Sequence, residues 1–205
     1  MRKLGIAVGV VVILAGAAAI GWRVYSGPAA PAAQVGLGQA VADFSLPDTS
    51  GQLHSLASLK GEKGTLLIFI ATQCPYSNAY NPRMEALHRD YFISGRGIRV
   101  VGINPNKTEP ADEVRSHAQQ NGMSFTILKD PDNRFADYLG ASVTPEVYLL
   151  DTQNVIRYHG RLDADHKDAG LNSGELRQAL DQLLNGQAIA NTGKKAFGCT
   201  IKRVG

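Results

Sequence analysis

Residues Thr65 to Asn81 read TLLIFIATQCPYSNAYN. The run from Thr65 to Ala71 is uncharged and rich in branched and aromatic side chains, which suits a strand buried on both faces. It delivers Cys74 to the strand's end. Pro75 has no backbone N–H and a fixed φ, so it fits the first turn of a helix and is disfavoured deeper inside one. Tyr80, Met84, Leu87 and Tyr91 then follow at the spacing of one helical face. Cys74 is therefore expected at a strand-to-helix junction, where unpaired N–H groups and the helix dipole favour negative charge on a sulfur. A lone Cys is also often a small buried hydrophobe, and the pattern alone leaves both readings open.

Working outward, Gly97 to Asn104 reads as a second buried strand, Glu109 to Asn121 as a helix and Phe125 to Leu128 as a strand. Asp130-Pro131-Asp132 caps a short helix that runs to Leu139 and ends at Gly140. Val147 to Leu150 and Val155 to Tyr158 flank the turn Asp151 to Asn154 and predict an antiparallel hairpin. Ser173 is placed to cap a last helix with Leu176, Leu180, Leu183 and Leu184 on its apolar face. Upstream, Val41 to Leu46 alternates and meets the turn cluster Pro47 to Gly51, a short N-terminal hairpin with Leu53 and Leu56 on its return. Alternating strands and helices followed by a hairpin and a helix give an α/β domain, a central mixed sheet covered by helices on both faces.

The N-terminus has a different character. Met1-Arg2-Lys3 precedes nineteen uncharged residues, Leu4 to Trp22, followed by Arg23. Such a run is just long enough to cross a hydrocarbon core of about 30 Å. Basic residues at its start keep that end in the cytoplasm, and Trp22 suits the far interface. The chain divides into an n-region (1–3), a transmembrane anchor or signal peptide (4–23), a Gly/Ala/Pro linker (24–38), a single domain (39–192) and a Cys-containing tail (193–205). The expected location is the bacterial inner membrane with the domain in the periplasm. A cleaved signal peptide, processed among the small residues Ala15 to Ala19, would instead leave a soluble periplasmic protein. The net charge of +3 comes entirely from Arg2, Lys3 and Arg23, leaving 18 basic and 18 acidic residues beyond them. With no basic stripe on the exported part, a nucleic-acid partner is excluded.

The segment Cys74-Pro75-Tyr76-Ser77 resembles the C-x-x-C site of the thioredoxin superfamily with Ser in place of the second Cys. With Phe197-Gly198-Cys199-Thr200-Ile201-Lys202 at its other end, the stretch from Gly36 to Val204 resembles bacterial redoxin-domain proteins of the AhpC/TSA, peroxiredoxin-like type. That resemblance implies a thioredoxin-like fold and a redox-active Cys74, with no cofactor and no metal. It also implies a cis bond at Thr144-Pro145, turning the Thr144 backbone toward Cys74 to bind an extended substrate. Against this stands the low frequency of cis X–Pro bonds, and a strand that simply begins with Pro. Arg83 and Arg161 are candidates for steadying a Cys74 thiolate, with surface ion pairs as the alternative.

The implied activity is thiol–disulfide exchange on protein thiols or disulfides, or on a small disulfide. Peroxide reduction fits less well. True peroxiredoxins carry P-x-x-x-[TS]-x-x-C, whereas Leu67 and Ala71 stand at the Pro and hydroxyl positions, and the peroxidatic Cys of that pattern falls at Ser77. A non-catalytic protein- or copper-binding module is the rival class, although the second Cys of Sco-type copper chaperones is replaced here by Asn78. The tract Asp163 to Asp168 lacks the Gly and terminal Glu of a calcium loop. The histidines form no H-x-x-x-H ligand pattern.

Ser77 cannot attack a mixed disulfide on Cys74, so turnover requires Cys199 or an outside thiol. Three readings of Cys199 stay open: a resolving thiol, a static staple and an unpaired residue. The glycines at 193 and 198 suggest a loosely restrained tail that reaches Cys74 when oxidised and leaves it when reduced.

Overall fold

The computed structural model describes residues 34–165 and 174–204; Leu4 to Trp22, most of the linker and the stretch from His166 to Ser173 lie outside them. The chain enters through a hairpin of β1 (Ser45–Pro47) and β2 (Leu53–Ser55). Its turn is held by the Asp48 carboxylate, which accepts from Ser50 N and Gln52 N. Helix α1 (Leu56–Leu59) follows under a Ser55 cap. Next come β3 (Gly64–Phe69), α2 (Pro75–Ala79), α3 (Asn81–His88) with a π-helical turn at its end (Arg89–Ile93), β4 (Ile98–Asn104) and α4 (Ala111–Gln120). The remaining elements are β5 (Thr126–Lys129), α5 (Arg134–Leu139), β6 (Val143–Thr144), β7 (Glu146–Leu150), β8 (Ile156–Gly160), α6 (Glu175–Leu184) and β9 (Cys199–Thr200).

The main sheet has the order β5-β4-β3-β7-β8, with β3 parallel to β4 and antiparallel to β7. Every residue of β3 is buried, and its side chains alternate between two cores, as the period of two in a strand requires. Leu66 and Ile68 join Tyr80, Met84, Leu87 and Tyr91, the face expected from their spacing, together with Leu176 and Leu180 of α6. Leu67 and Phe69 face Leu56, Leu59, Phe135 and Leu139 on the other side. Burial of each such side chain contributes about 1.5–3 kcal/mol, so the central strand is fixed from both faces. The expected mixed α/β sheet with an N-terminal hairpin is what the chain forms.

Two local details differ from the sequence reading. The helix after Cys74 breaks at Tyr80, because Pro82 stands in the first turn of α3 and a proline cannot continue a helix from upstream without losing a backbone bond. The formal N-cap of α5 is Asn133, in the left-handed region, yet the Asp130 carboxylate does take the N–H groups of Phe135 and Ala136. Helix α6 is preceded by Gly174 at φ 66°, and Ser173, read as its cap, lies outside the described residues.

The largest difference is the tail. Thr192 O and Lys194 O accept from His159 N and Arg161 N, which lays the segment along β8. A Cβ on Gly193 would stand 1.9 Å from His159 O, and one on Gly198 would stand 2.0 Å from Thr144 O. These glycines permit close backbone approach and do not loosen the tail. Beyond Gly198, β9 pairs antiparallel with β6, Thr144 opposite Cys199 and Val143 opposite Thr200.

Candidate active site

Strand β3 runs into Ala71, Thr72 and Gln73, and Cys74 caps α2. The Ser77 amide donates to the Cys74 sulfur at 3.3 Å, the bond a capping residue makes to the third helical N–H. Ser77 itself is buried, and its hydroxyl accepts from Ala71 N at 3.1 Å. The serine at the second position of the C-x-x-C pattern thus closes the turn by a polar contact. On the opposite side the Cys74 thiol donates to Thr144 O at 3.2 Å. The Thr144–Pro145 bond is cis. The Thr144 hydroxyl is buried without a hydrogen-bond partner among the described residues.

Cys199 completes the arrangement. Its strand pairing with Thr144 sets it beside Cys74, close enough for the Cys74 sulfur to act on the ionisation of Cys199. Burial pushes the Cys199 thiol above its ordinary pKa and the Cys74 sulfur adds to this, against the Tyr76 amide and the charge of Lys202. Cys199 is therefore held protonated at neutral pH. Both residues are free cysteines, Cys74 only 2% exposed and Cys199 partly accessible. The Phe197 ring, two residues before Cys199, meets Tyr76, two residues after Cys74, edge-on at 6.2 Å.

Two buried carboxylates, which sequence reasoning missed, hold the walls of the site. Glu109 accepts from Thr72 N at 2.8 Å and Gln73 N at 3.1 Å, the two residues before Cys74, and also from Asn106 and Asn104. Burial raises its pKa, but the donors from Asn106, Thr72, Asn104 and Gln73 outweigh burial and leave it below the usual carboxylate range. Lys129 closes the cluster by donating to Asn106 O at 3.1 Å and Glu109 O at 2.6 Å. Asn106 links this wall to the tail, since its Oδ1 accepts from Lys202 N at 2.7 Å. On the other wall Glu146 accepts from Ser142 N at 2.8 Å and Val143 N at 3.2 Å, fixing β6, and pairs with His159 at 2.6 Å. A signal existed for Glu109. It follows β4, the parallel neighbour of β3, at the carboxyl end where α/β sheets build their sites.

Arg83 and Arg161 are not drawn to the sulfurs. Among the described residues Arg83 pairs with Asp163 at 3.0 Å and lies over the Tyr80 ring, and Arg161 makes a two-pronged pair with Glu175 at 2.9 Å. No group of His, Cys, Asp or Glu among the described residues is arranged to hold a metal ion.

A strand–Cys–Pro–helix junction facing a cis-proline, on a mixed sheet of this order, defines a thioredoxin-fold protein. The chain belongs to the AhpC/TSA family, which it matches over residues 37–159. It is 35% identical over 138 residues to the thioredoxin-like protein YneN of Bacillus subtilis, covering 67% of this chain and 78% of that one. It is 27% identical over 147 residues to the thiol-disulfide oxidoreductase ResA of Geobacillus thermodenitrificans, covering 72% and 82%. Among solved structures, a hypothetical protein from Sinorhizobium meliloti 1021 superposes with a TM-score of 0.76 at 32% identity, covering 83% of this chain and 96% of that one.

Proposed function

We propose that the protein carries out thiol–disulfide exchange with Cys74 as nucleophile and Cys199 as its internal partner. The observation that carries this reading is the meeting of the two sulfurs at the Thr144 backbone, with the Ser77 amide donating to Cys74. Its similarity to ResA proteins, named as thiol-disulfide oxidoreductases, supports the same reaction class. The Cys74 thiolate attacks one sulfur of a substrate disulfide, the S–S bond breaks, and its electron pair leaves on the other sulfur as a thiolate. Cys199 then attacks Cys74 of the mixed disulfide, loses its proton to the departing thiolate, and leaves a Cys74–Cys199 disulfide with the substrate reduced. An external dithiol returns the pair to its reduced form, and each step runs in reverse when the substrate's dithiol is the stronger reductant.

The test is turnover of a model disulfide with a dithiol reductant. Cys74→Ser abolishes it, Cys199→Ser slows it to the rate at which the added dithiol itself attacks the mixed disulfide on Cys74, and adding Ser77→Cys to the second variant restores fast turnover through a local dithiol. Undiminished activity in Cys74→Ser removes this function.

The same reading extends to location. Leu4 to Trp22 serves as an N-terminal membrane anchor with the redox domain on the periplasmic side, supported by the length of the apolar run and the basic residues before it. Among the described residues no helix is long and apolar enough to cross a membrane. Fractionation with N-terminal sequencing decides between anchor and cleaved signal: a membrane-bound chain retaining Arg2 supports the anchor, and a mature start after Ala19 contradicts it.

A further inference from the structure

The backbone edge of β6 is where an extended substrate would pair beside Cys74, and the chain fills that edge with its own residues. Strand β9 pairs with Val143 and Thr144. The pairing continues through Ile201 N to Ser142 O at 3.1 Å, and Lys202 O accepts from Lys107 N at 2.9 Å. Alternate side chains of the occupant, at 197, 199 and 201, are seated against the domain. Phe197 lies against Tyr76, Gly198 passes Thr144 O with no room for a Cβ, Cys199 meets Cys74, and Ile201 enters the core beside Phe135 and Leu139. Arg203 fastens the end by donating to Asp137 and to Ala141 O, both at 2.7 Å.

We infer that this edge is a polypeptide-docking surface whose preferred partner is an extended, cysteine-bearing segment of the pattern aromatic–Gly–Cys–x–aliphatic, and that the chain's own tail competes with it. The inference rests on the exchange function proposed above and names its substrate class. The tail displays which side chains the surface accepts. A partner segment gains the aromatic and aliphatic seats only when Phe197 and Ile201 vacate them. With the tail seated, Cys74 is 2% exposed, so a substrate waits on the fraction of molecules in which the tail has lifted, and its apparent reactivity falls by that fraction. A small disulfide uses neither seat and gains nothing from them beyond access to the sulfur.

The experiment uses the full chain carrying Cys199→Ser, so that the mixed disulfide on Cys74 persists. The probes are the peptide AFGCTIKRV, copied from Ala196 to Val204, and glutathione, each carried as a mixed disulfide with thionitrobenzoate. Attack by Cys74 joins it to the peptide or glutathione sulfur and releases coloured thionitrobenzoate, the better leaving group because its thiol is the more acidic. Gly198→Val is added to unseat the tail, and Arg203→Ala, at the surface, provides a second and milder release should the valine disturb folding.

In the Gly198→Val protein the peptide is expected to react about tenfold faster than glutathione and about tenfold faster than it does with the seated tail, and in Arg203→Ala about twofold faster than with the seated tail, the rate scaling with the competent fraction. Replacing the peptide's Phe or Ile by Ala should remove most of that preference. Equal rates for peptide and glutathione in both unseated variants overturn the docking surface while leaving exchange intact. Failure of both probes to react in any form overturns the exchange function, and the docking surface falls with it.

Discussion

Cys74 and Cys199 reach the same point on strands built by opposite means. Strand β3 pairs along its whole length with β4 and β7, and every one of its side chains is buried. Strand β9 has a two-residue pairing with β6, followed by backbone bonds to Ser142 and Lys107 and by side-chain bonds that involve Asn106, Asn133, Ala141 and Asp137. One strand is inseparable from the fold, whereas the other is laid on the finished domain. One sulfur is thus a fixture of the sheet and the other rides on a short, late-laid strand, which is what the proposed redox pair needs if it is to form and break without unfolding its scaffold.

Substitutions graded along this contrast should give graded costs. Phe69→Ala removes a ring that packs on both Phe135 and Tyr148 and should lower unfolding free energy by about 3–5 kcal/mol in urea titrations, with Cys74 and the whole domain melting together. A loss as small as that of a surface substitution would show that β3 is not the fixture described.

Glu109→Gln comes next, at about 2–3 kcal/mol, because it takes the charge from a carboxylate bonded to four donors. The sign of its pH dependence follows from its lowered pKa. The stabilisation is fully present above the ordinary value of 4.5 and is lost as pH falls through the lower value of the folded state. Urea midpoints measured from neutral pH toward acid should therefore decline less steeply in Glu109→Gln than in the wild type. An unchanged acid slope would remove Glu109 as the group that pins Thr72 and Gln73.

Gly198→Val should cost only about 1–2 kcal/mol, limited by release of the buried Ile201. It should make Lys194, Lys195, Lys202 and Arg203 sensitive to trypsin while the sheet keeps its amide protection. Loss of protection in β3 as well would merge the two regions that the structure separates. Arg203→Ala, at the smallest end, should shift the urea midpoint by no more than about 0.5 kcal/mol yet raise the rate at which Cys74 is alkylated.

The same contrast explains what could be read in the sequence. Strand β3, the helical face Tyr80–Met84–Leu87–Tyr91 and the β7–β8 hairpin announce themselves through local hydrophobic period and turn residues. Cys74 is legible for the same reason, as its neighbours determine its junction. Strand β9 carries no such signal. Its two residues gain strand geometry only from β6, and Gly193 and Gly198 read as freedom until the carbonyls of His159 and Thr144 are seen against them. Glu146 was silent, because a carboxylate that satisfies backbone N–H groups looks like any other charged residue in the sequence, and Glu109 offered only its place after β4 at the carboxyl end of the sheet. Arg83 and Arg161 were visible as cations, but their carboxylate partners are set by tertiary placement.

The central claim is that the tail seats Cys199 on Cys74 as its redox partner. The most direct measurement is to treat the reduced wild-type protein with one equivalent of 5,5′-dithiobis(2-nitrobenzoate), count the thionitrobenzoate released, and map the product by mass spectrometry after non-reducing digestion. Release of about two equivalents per chain with Cys74 and Cys199 joined in one linked peptide pair is the predicted result, since Cys199 displaces the second leaving group from Cys74. One equivalent released, with a lasting mixed disulfide on Cys74 and an unmodified Cys199, would contradict it.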